Sequence, residues 1–189
     1  KILNSFFDFI KKKGSKRIKI EIQGGEPTLR LDIISKIAKW VDINNFDADI
    51  IICTNLLNIS KEFEKILEKK NVYISTSIDG SSEIQKNQRT ETKELTSKFF
   101  KNFDYIFKKY GKEKISALPT FSNFKEVKNT IDKYSELGLN YIYLRPVNFQ
   151  GFARKHFPES KTQINEWLNI YFSSLEYLFH KNYSSKKNM

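Results

Sequence analysis

Residues 20 to 30, IEIQGGEPTLR, end an alternating apolar run with two adjacent glycines, an acid and a proline. Glycines leave the backbone N–H and C=O groups open to close approach, a glutamate adds a negative acceptor, and proline stiffens the turn that follows. Comparable groups recur along the chain: Thr54-Asn55, Ser77-Ile78-Asp79-Gly80, Thr120, and Arg145-Pro146. Each follows a strand-like run. Small residues and hydrogen-bonding groups would therefore gather at one edge of a sheet, where backbone groups freed at strand ends suit a polar, zwitterionic ligand.

The elements that must carry these groups can be read from the period of the apolar residues. Leu3, Phe6, Phe7 and Ile10 repeat at helical spacing, Ile18, Ile20 and Ile22 alternate like a strand, and Ile34, Ile37, Ala38 and Val41 return to a helix. The alternation continues with strands at 49–54, 72–78, 114–120 and 141–146. Helices are expected near 61–69, 96–110 and 124–137, and a last one near 163–181 carries Ile164, Trp167, Leu168, Tyr171, Phe172, Leu175 and Phe179 on one stripe. Alternation of this kind predicts an α/β fold with right-handed crossovers and a parallel sheet of five strands. Strands with alternating polar positions fit the inner wall of a barrel, and ligands of such sheets collect at the carboxyl ends of the strands. The polar connection DGSSEIQKNQRTETKE, residues 79–94, is long enough to be a functional loop. There is no internal repeat and no Pro/Gly/Ser linker.

Composition narrows the function classes. The chain has 189 residues, 39% of them hydrophobic and 14% aromatic, enough for a substantial core. Its net charge of +11 comes from 33 basic residues, of which only Arg17, Arg30, Arg89, Arg145 and Arg154 are arginine. Lysines interleaved with glutamates, as in KEFEKILEKK, form solvated helix faces, whereas nucleic-acid readers favour arginine, so no nucleic-acid partner is expected. No apolar run approaches membrane-spanning length and no leader pattern opens the chain, so no membrane partner and a cytoplasmic location are expected. Cys53 is the single cysteine, and no His/Cys cluster has metal-ligand spacing.

Taken together, QGGEP at one strand end, CTN at the next, SIDG at the third and a loop ending KNQR resemble the radical S-adenosylmethionine (SAM) enzymes. The likeness is greatest to their peptide-maturing branch, which includes the anaerobic sulfatase maturases and the His-Xaa-Ser system maturases. LGLNYIYLRPVNFQGFA, residues 137–153, is similar to the sixth strand and following loop of the latter. The resemblance covers about residues 1 to 155. It implies a partial parallel (β/α) barrel of the radical SAM type, with five of the six strands present. It also implies that Gly24, Gly25 and Glu26 receive the methionyl ammonium of SAM, with Pro27 fixing the turn of this cofactor-binding segment, that Ser77 and Arg89 meet its carboxylate, and that Thr54 and Asn55 face the ribose. Gln23 and Arg145 are the substrate-side candidates.

The family holds a 4Fe-4S cluster on a CxxxCxxC loop after its first strand, and these residues contain no such loop. The chain opens with what would be the following helix, so it is expected to be a fragment, with the cluster cysteines upstream and no metal ligands of its own. Residues 1–160 would form the partial core and 161–189 an amphipathic helix and tail. By resemblance the intact enzyme would use SAM, the 4Fe-4S cluster and an electron donor to generate a 5′-deoxyadenosyl radical that modifies a peptide or small-protein substrate. The alternative reading is a cluster-free, SAM-barrel-like protein that binds peptides without catalysis.

Overall fold

The computed structural model of the chain describes residues 1–15, 17–121, 126–148 and 150–185. Strands β1 (Arg17–Ile22), β2 (Asp47–Cys53), β3 (Val72–Thr76) and β4 (Ile115–Ala117) form one parallel sheet, in the order β1-β2-β3-β4. Helices α1 (Ile2–Lys13), α2 (Leu31–Ile43), α3 (Lys61–Leu67), α4 (Ser82–Gln85), α5 (Lys93–Tyr110), α6 (Val127–Glu136) and α7 (Lys161–Ser185) fill the connections and the C-terminal end.

The period-two pattern gives the sheet two unlike faces. Register places Ile22, Ile52, Ile74 and Ile115 in a single row across all four strands. That row and its neighbour Ile50 belong to a core completed by Ile34, Ile37 and Val41 of α2, Phe63 of α3, and Phe99, Phe103 and Ile106 of α5. One residue further along each strand, the opposite face carries Cys53, Ser75 and Ser116 in a matching row. It stays polar along β1 as well, where Lys19 pairs with Glu21 and Arg17 with Asp49 across to β2. The helices thus cover one face and leave open the other, polar except where Ile51 and Tyr73 stand.

Local signals position the helices. Ser60 accepts from Phe63 N–H at 3.1 Å to start α3, and Thr92 accepts from Leu95 N–H at 3.2 Å to start α5. The Lys114 ammonium donates to the carbonyls of Lys70 (3.1 Å) and Val72 (2.9 Å), and to that of Lys69, which ties the start of β4 to the end of the α3–β3 connection.

Two expectations are corrected. The fifth strand, expected at 141–146, does not form, so the sheet has four strands. A single parallel bridge links Phe121 to Pro146, with Phe121 N–H donating to Arg145 O (3.1 Å) and Val147 N–H to Phe121 O (2.8 Å). Pro146 has no N–H to extend the ladder, and Pro119 stops β4 just after Leu118 N–H reaches Thr76 O. The apolar stripe of the last helix is also divided. Trp167, Tyr171 and Leu175 pack on a second core cluster of Phe121, Val127, Ile131 and Leu144, whereas Phe172 and Phe179 are 56% and 80% exposed.

Phe63 is fully buried where α3 meets the sheet. Phe63→Ala is expected to lower the free energy of unfolding by about 3–5 kcal/mol, read as a fall in the urea midpoint at constant slope. An unchanged midpoint would remove Phe63 from the core.

Candidate functional site

The strands end in backbone groups that no ladder partner can satisfy, and here side chains take them up in sequence across the sheet. Glu26 lies just past β1 and starts a short 3₁₀ turn, Pro27–Arg30. Its Oε1 accepts from Thr28 N–H (3.1 Å), Thr28 Oγ1 (2.7 Å) and Thr54 Oγ1 (2.7 Å), and its Oε2 from Asn55 N–H (2.8 Å). One carboxylate therefore fixes the GGEP turn against the end of β2. Thr76 Oγ1 donates to Thr54 O at 2.8 Å and carries the connection on to β3. Leu56 sits in the left-handed region at φ +56° and is wholly buried. Asn102 Nδ2 donates to its carbonyl at 2.6 Å, so packing from α5 holds a conformation that costs an ordinary residue about 1–2 kcal/mol.

Beyond β3 the organising residue is Asp79, only 2% exposed. Arg89 grips its carboxylate in a bidentate ion pair, with Nη2 to Oδ1 at 3.1 Å. Thr120 N–H donates to Oδ1 at 2.9 Å, and Arg145 Nη2 donates to Thr120 Oγ1 at 2.9 Å. The backbone around Asp79 is held equally firmly. Its N–H donates to Gln85 Oε1 (3.0 Å) and its C=O accepts from Thr130 Oγ1 (2.6 Å), while Gln85 Nε2 donates to Ser77 O (3.0 Å) and Tyr134 OH to Ile78 O (3.1 Å). Burial, and then the Asp79 charge, push the Tyr134 phenol up, so it stays a neutral donor. Gly80 permits this closeness: at φ +153° an added Cβ would lie 2.7 Å from Ile84 Cδ1 and 3.1 Å from Thr130 Oγ1. Arg89 itself comes from a π turn, Lys86–Thr90, that follows α4 inside the 79–94 connection.

These loops enclose a cavity of about 700 Å³ at the carboxyl ends of the strands. Gln23, Gly24, Gly25, Glu26, Thr54, Asn55, Ser77, Arg89 and Arg145 all line it; of the sequence-derived set, only Pro27 does not, being buried in the 3₁₀ turn. The two glycines leave their side of the cavity open. A Cβ at either would meet nothing within 4 Å, and Gly24 takes φ +151°, which a side chain would disfavour. Gln23 is drawn back to β1, its Nε2 donating to Glu21 Oε2 at 2.8 Å, and Asn55 Oδ1 accepts from Leu57 N–H at 3.0 Å. A second, mainly apolar cavity of about 560 Å³ shares Leu118 with the first and is lined by Ile51, Tyr73, Tyr141, Ile142 and Tyr143.

Sequence reasoning placed Asp79 in a strand-end group without assigning it a role, and did not find Gln85, Thr120's backbone N–H, Thr130 or Tyr134. The only signal for them is the polarity of the 79–94 connection, since their partners lie on other elements. Cys53 lines the cavity, but burial, and then the Glu21 charge, push its thiol up, away from the thiolate a metal needs. Among the described residues no group of three or more His, Cys, Asp or Glu could hold a metal ion, so these residues do not fit an iron–sulfur cluster. Among the described residues no helix is long and apolar enough to cross a membrane.

No protein-family model and no curated protein sequence matches the chain. In fold the chain is similar to part of anSMEcpe, which has been solved with AdoMet and with AdoMet and a peptide bound. The structure of native anSMEcpe with bound AdoMet and Kp18Cys peptide superposes with a TM-score of 0.75 at 16% identity, over 99% of this chain and 53% of that one. The polyhistidine-tagged enzyme with bound AdoMet gives 0.75 at 15% identity, over 99% and 50%. The Cp18Cys peptide complex gives 0.64 at 22% identity, over 76% and 42%. The chain thus spans about half the length of the first two.

Glu26→Gln keeps the shape of the side chain and removes its charge from four donors. It is expected to cost about 1–3 kcal/mol of stability, measured by urea unfolding. Thr54→Val, which removes only the bridging hydroxyl, is expected to cost about 1 kcal/mol; a larger loss than for Glu26→Gln would move the centre of this network from Glu26 to Thr54.

Proposed function

We propose that this chain is the S-adenosylmethionine-binding part of a radical SAM-type maturase that modifies a peptide or protein substrate. The observation that carries the reading is the meeting of Gly24, Gly25, Glu26, Thr54, Asn55 and Ser77, from three strand ends, with Arg89, from the π turn, around one polar cavity. The likeness in fold to an enzyme solved with AdoMet and a peptide supports it.

The residues present fit SAM. The unobstructed backbone of Gly24 and Gly25 suits an ammonium group, the Ser77 hydroxyl and the Arg89 guanidinium suit a carboxylate, and the Thr54-Asn55 edge adjoins them where a ribose would lie. SAM, when bound, would supply a sulfonium carbon–sulfur bond open to one-electron reductive cleavage, the electron coming from a cluster and donor outside these residues. This chain's own contribution is to bind and orient: Glu26 holds the glycine turn in register with β2. Gln23 and Arg145 face the substrate side on this reading, and the apolar cavity beside Leu118 suits a peptide side chain better than a small polar metabolite.

The 4Fe-4S cluster, its cysteines and the electron donor belong, on this reading, to protein outside these residues, with 1–160 the core and 161–189 an appended helix and tail. A second reading, a cluster-free protein that binds peptides without catalysis, is favoured by one observation, the absence of a metal-ligand group among the described residues.

Full-length protein, reconstituted anaerobically with iron and sulfide and given dithionite and SAM, is expected to form 5′-deoxyadenosine. Ser77→Ala is expected to weaken SAM binding about fivefold to tenfold by calorimetry. SAM binding without any 5′-deoxyadenosine would favour the non-catalytic reading, and absence of SAM binding would sink the first.

A further inference from the structure

Arg89 reaches the cavity from a π turn in a polar connection, where an arginine would ordinarily sample many rotamers. Here it is not free to do so. Its Nε and Nη2 both bond the Asp79 carboxylate, an arrangement that uses one edge of the planar guanidinium and leaves the Nη1 edge uncommitted to it. Asp79 in turn is nearly inaccessible at 2% exposure, whereas the Arg89 side chain is 36% exposed. The pair is therefore graded: the acid is sealed in, and the base stands at the cavity wall.

Asp79 is also fixed far more thoroughly than charge balance requires. Its carboxylate takes the Thr120 N–H, its own N–H reaches Gln85, and its carbonyl accepts from Thr130 of α6. A carboxylate immobilised from several elements can hold a guanidinium plane to one orientation.

We infer that Asp79 is a positioning residue for the cofactor site, holding the Arg89 guanidinium so that its free edge receives the carboxylate of the bound ligand. The inference rests on the SAM reading above and adds a role for a residue that itself need not touch ligand. It requires that the preference for a carboxylate-bearing ligand depend on Asp79 as well as on Arg89, and that the two act as a unit.

Calorimetric titration of the full-length protein with SAM and with decarboxylated SAM tests this. The unaltered protein is expected to prefer SAM by at least about tenfold. Asp79→Asn keeps the side-chain shape and an acceptor for Thr120, and is expected to cut that preference at least about fivefold. Asp79→Glu is expected to restore part of it. Arg89→Ala is expected to remove the preference to the same extent, with no further loss when it is combined with Asp79→Asn. If Asp79→Asn does not fold, Arg89→Lys serves instead: it keeps a cation beside Asp79 without the fork and is expected to lose the preference. An unchanged preference in folded Asp79→Asn, or in Arg89→Lys where that stands in, overturns the inference while leaving the SAM reading intact. Failure of the unaltered protein to bind SAM overturns the SAM reading, and the inference falls with it.

Discussion

A parallel sheet ends its strands all on one side, and every strand that stops there leaves carbonyls and N–H groups without ladder partners. In this chain two carboxylates take up N–H groups at these ends, and neutral side chains such as Thr76, Gln85, Asn102, Thr130 and Tyr134 take up the carbonyls. Glu26 serves the ends of β1 and β2, and Asp79 serves the end of β3 and the segment after β4. Thr76 and Arg145 extend the connection between them and beyond. The result is a belt of short bonds across the mouth of the sheet, and the cavity is the space the belt surrounds. Because an unpaired buried carboxylate would cost several kcal/mol, Asp79 is tenable only with Arg89 in place. The surroundings of one buried charge thus dictate where a cation stands at the cavity wall.

The sheet's two faces divide the labour. The isoleucine row is sealed under α2, α3 and α5 and supplies the burial that holds the strands in register. The opposite row of Cys53, Ser75 and Ser116 contributes little to that burial, which leaves it available to shape a polar site. The helical side also reaches the mouth of the sheet. Tyr134 and Thr130 of α6 bond the backbone at Ile78 and Asp79, and the other side of α6 is bound through Asp132 to Tyr177 and Lys181 of α7.

Much of this was legible in the sequence. The Ile18-Ile20-Ile22 alternation and the Ile34-Ile37-Ala38-Val41 spacing mark β1 and α2, because one-sided burial writes its period into the chain. The GGEP, Thr54-Asn55 and Ser77 segments are legible as a common edge because parallel topology carries strand ends to the same side. The fifth strand was misread from the apolar YIYL pattern, since aromatic and β-branched residues also suit an extended segment that never completes a ladder, and Pro146 denies it one. Asp79 was undecidable for a different reason. Its partners lie 10, 41 and 51 positions away, and Asp-Gly is equally the signature of an ordinary turn. Long-range satisfaction of a buried charge leaves no local pattern to read.

The belt around the cavity is economical in letters. Asn55 and Thr120 offer Glu26 and Asp79 a backbone N–H, and Leu56, Ser77 and Ile78 offer Asn102, Gln85 and Tyr134 a backbone carbonyl. Any residue that tolerates the same backbone can make those bonds, so for this purpose the identities at many of the belt's contacts are free to drift while the geometry persists. An architecture written this way can keep its shape while its spelling changes.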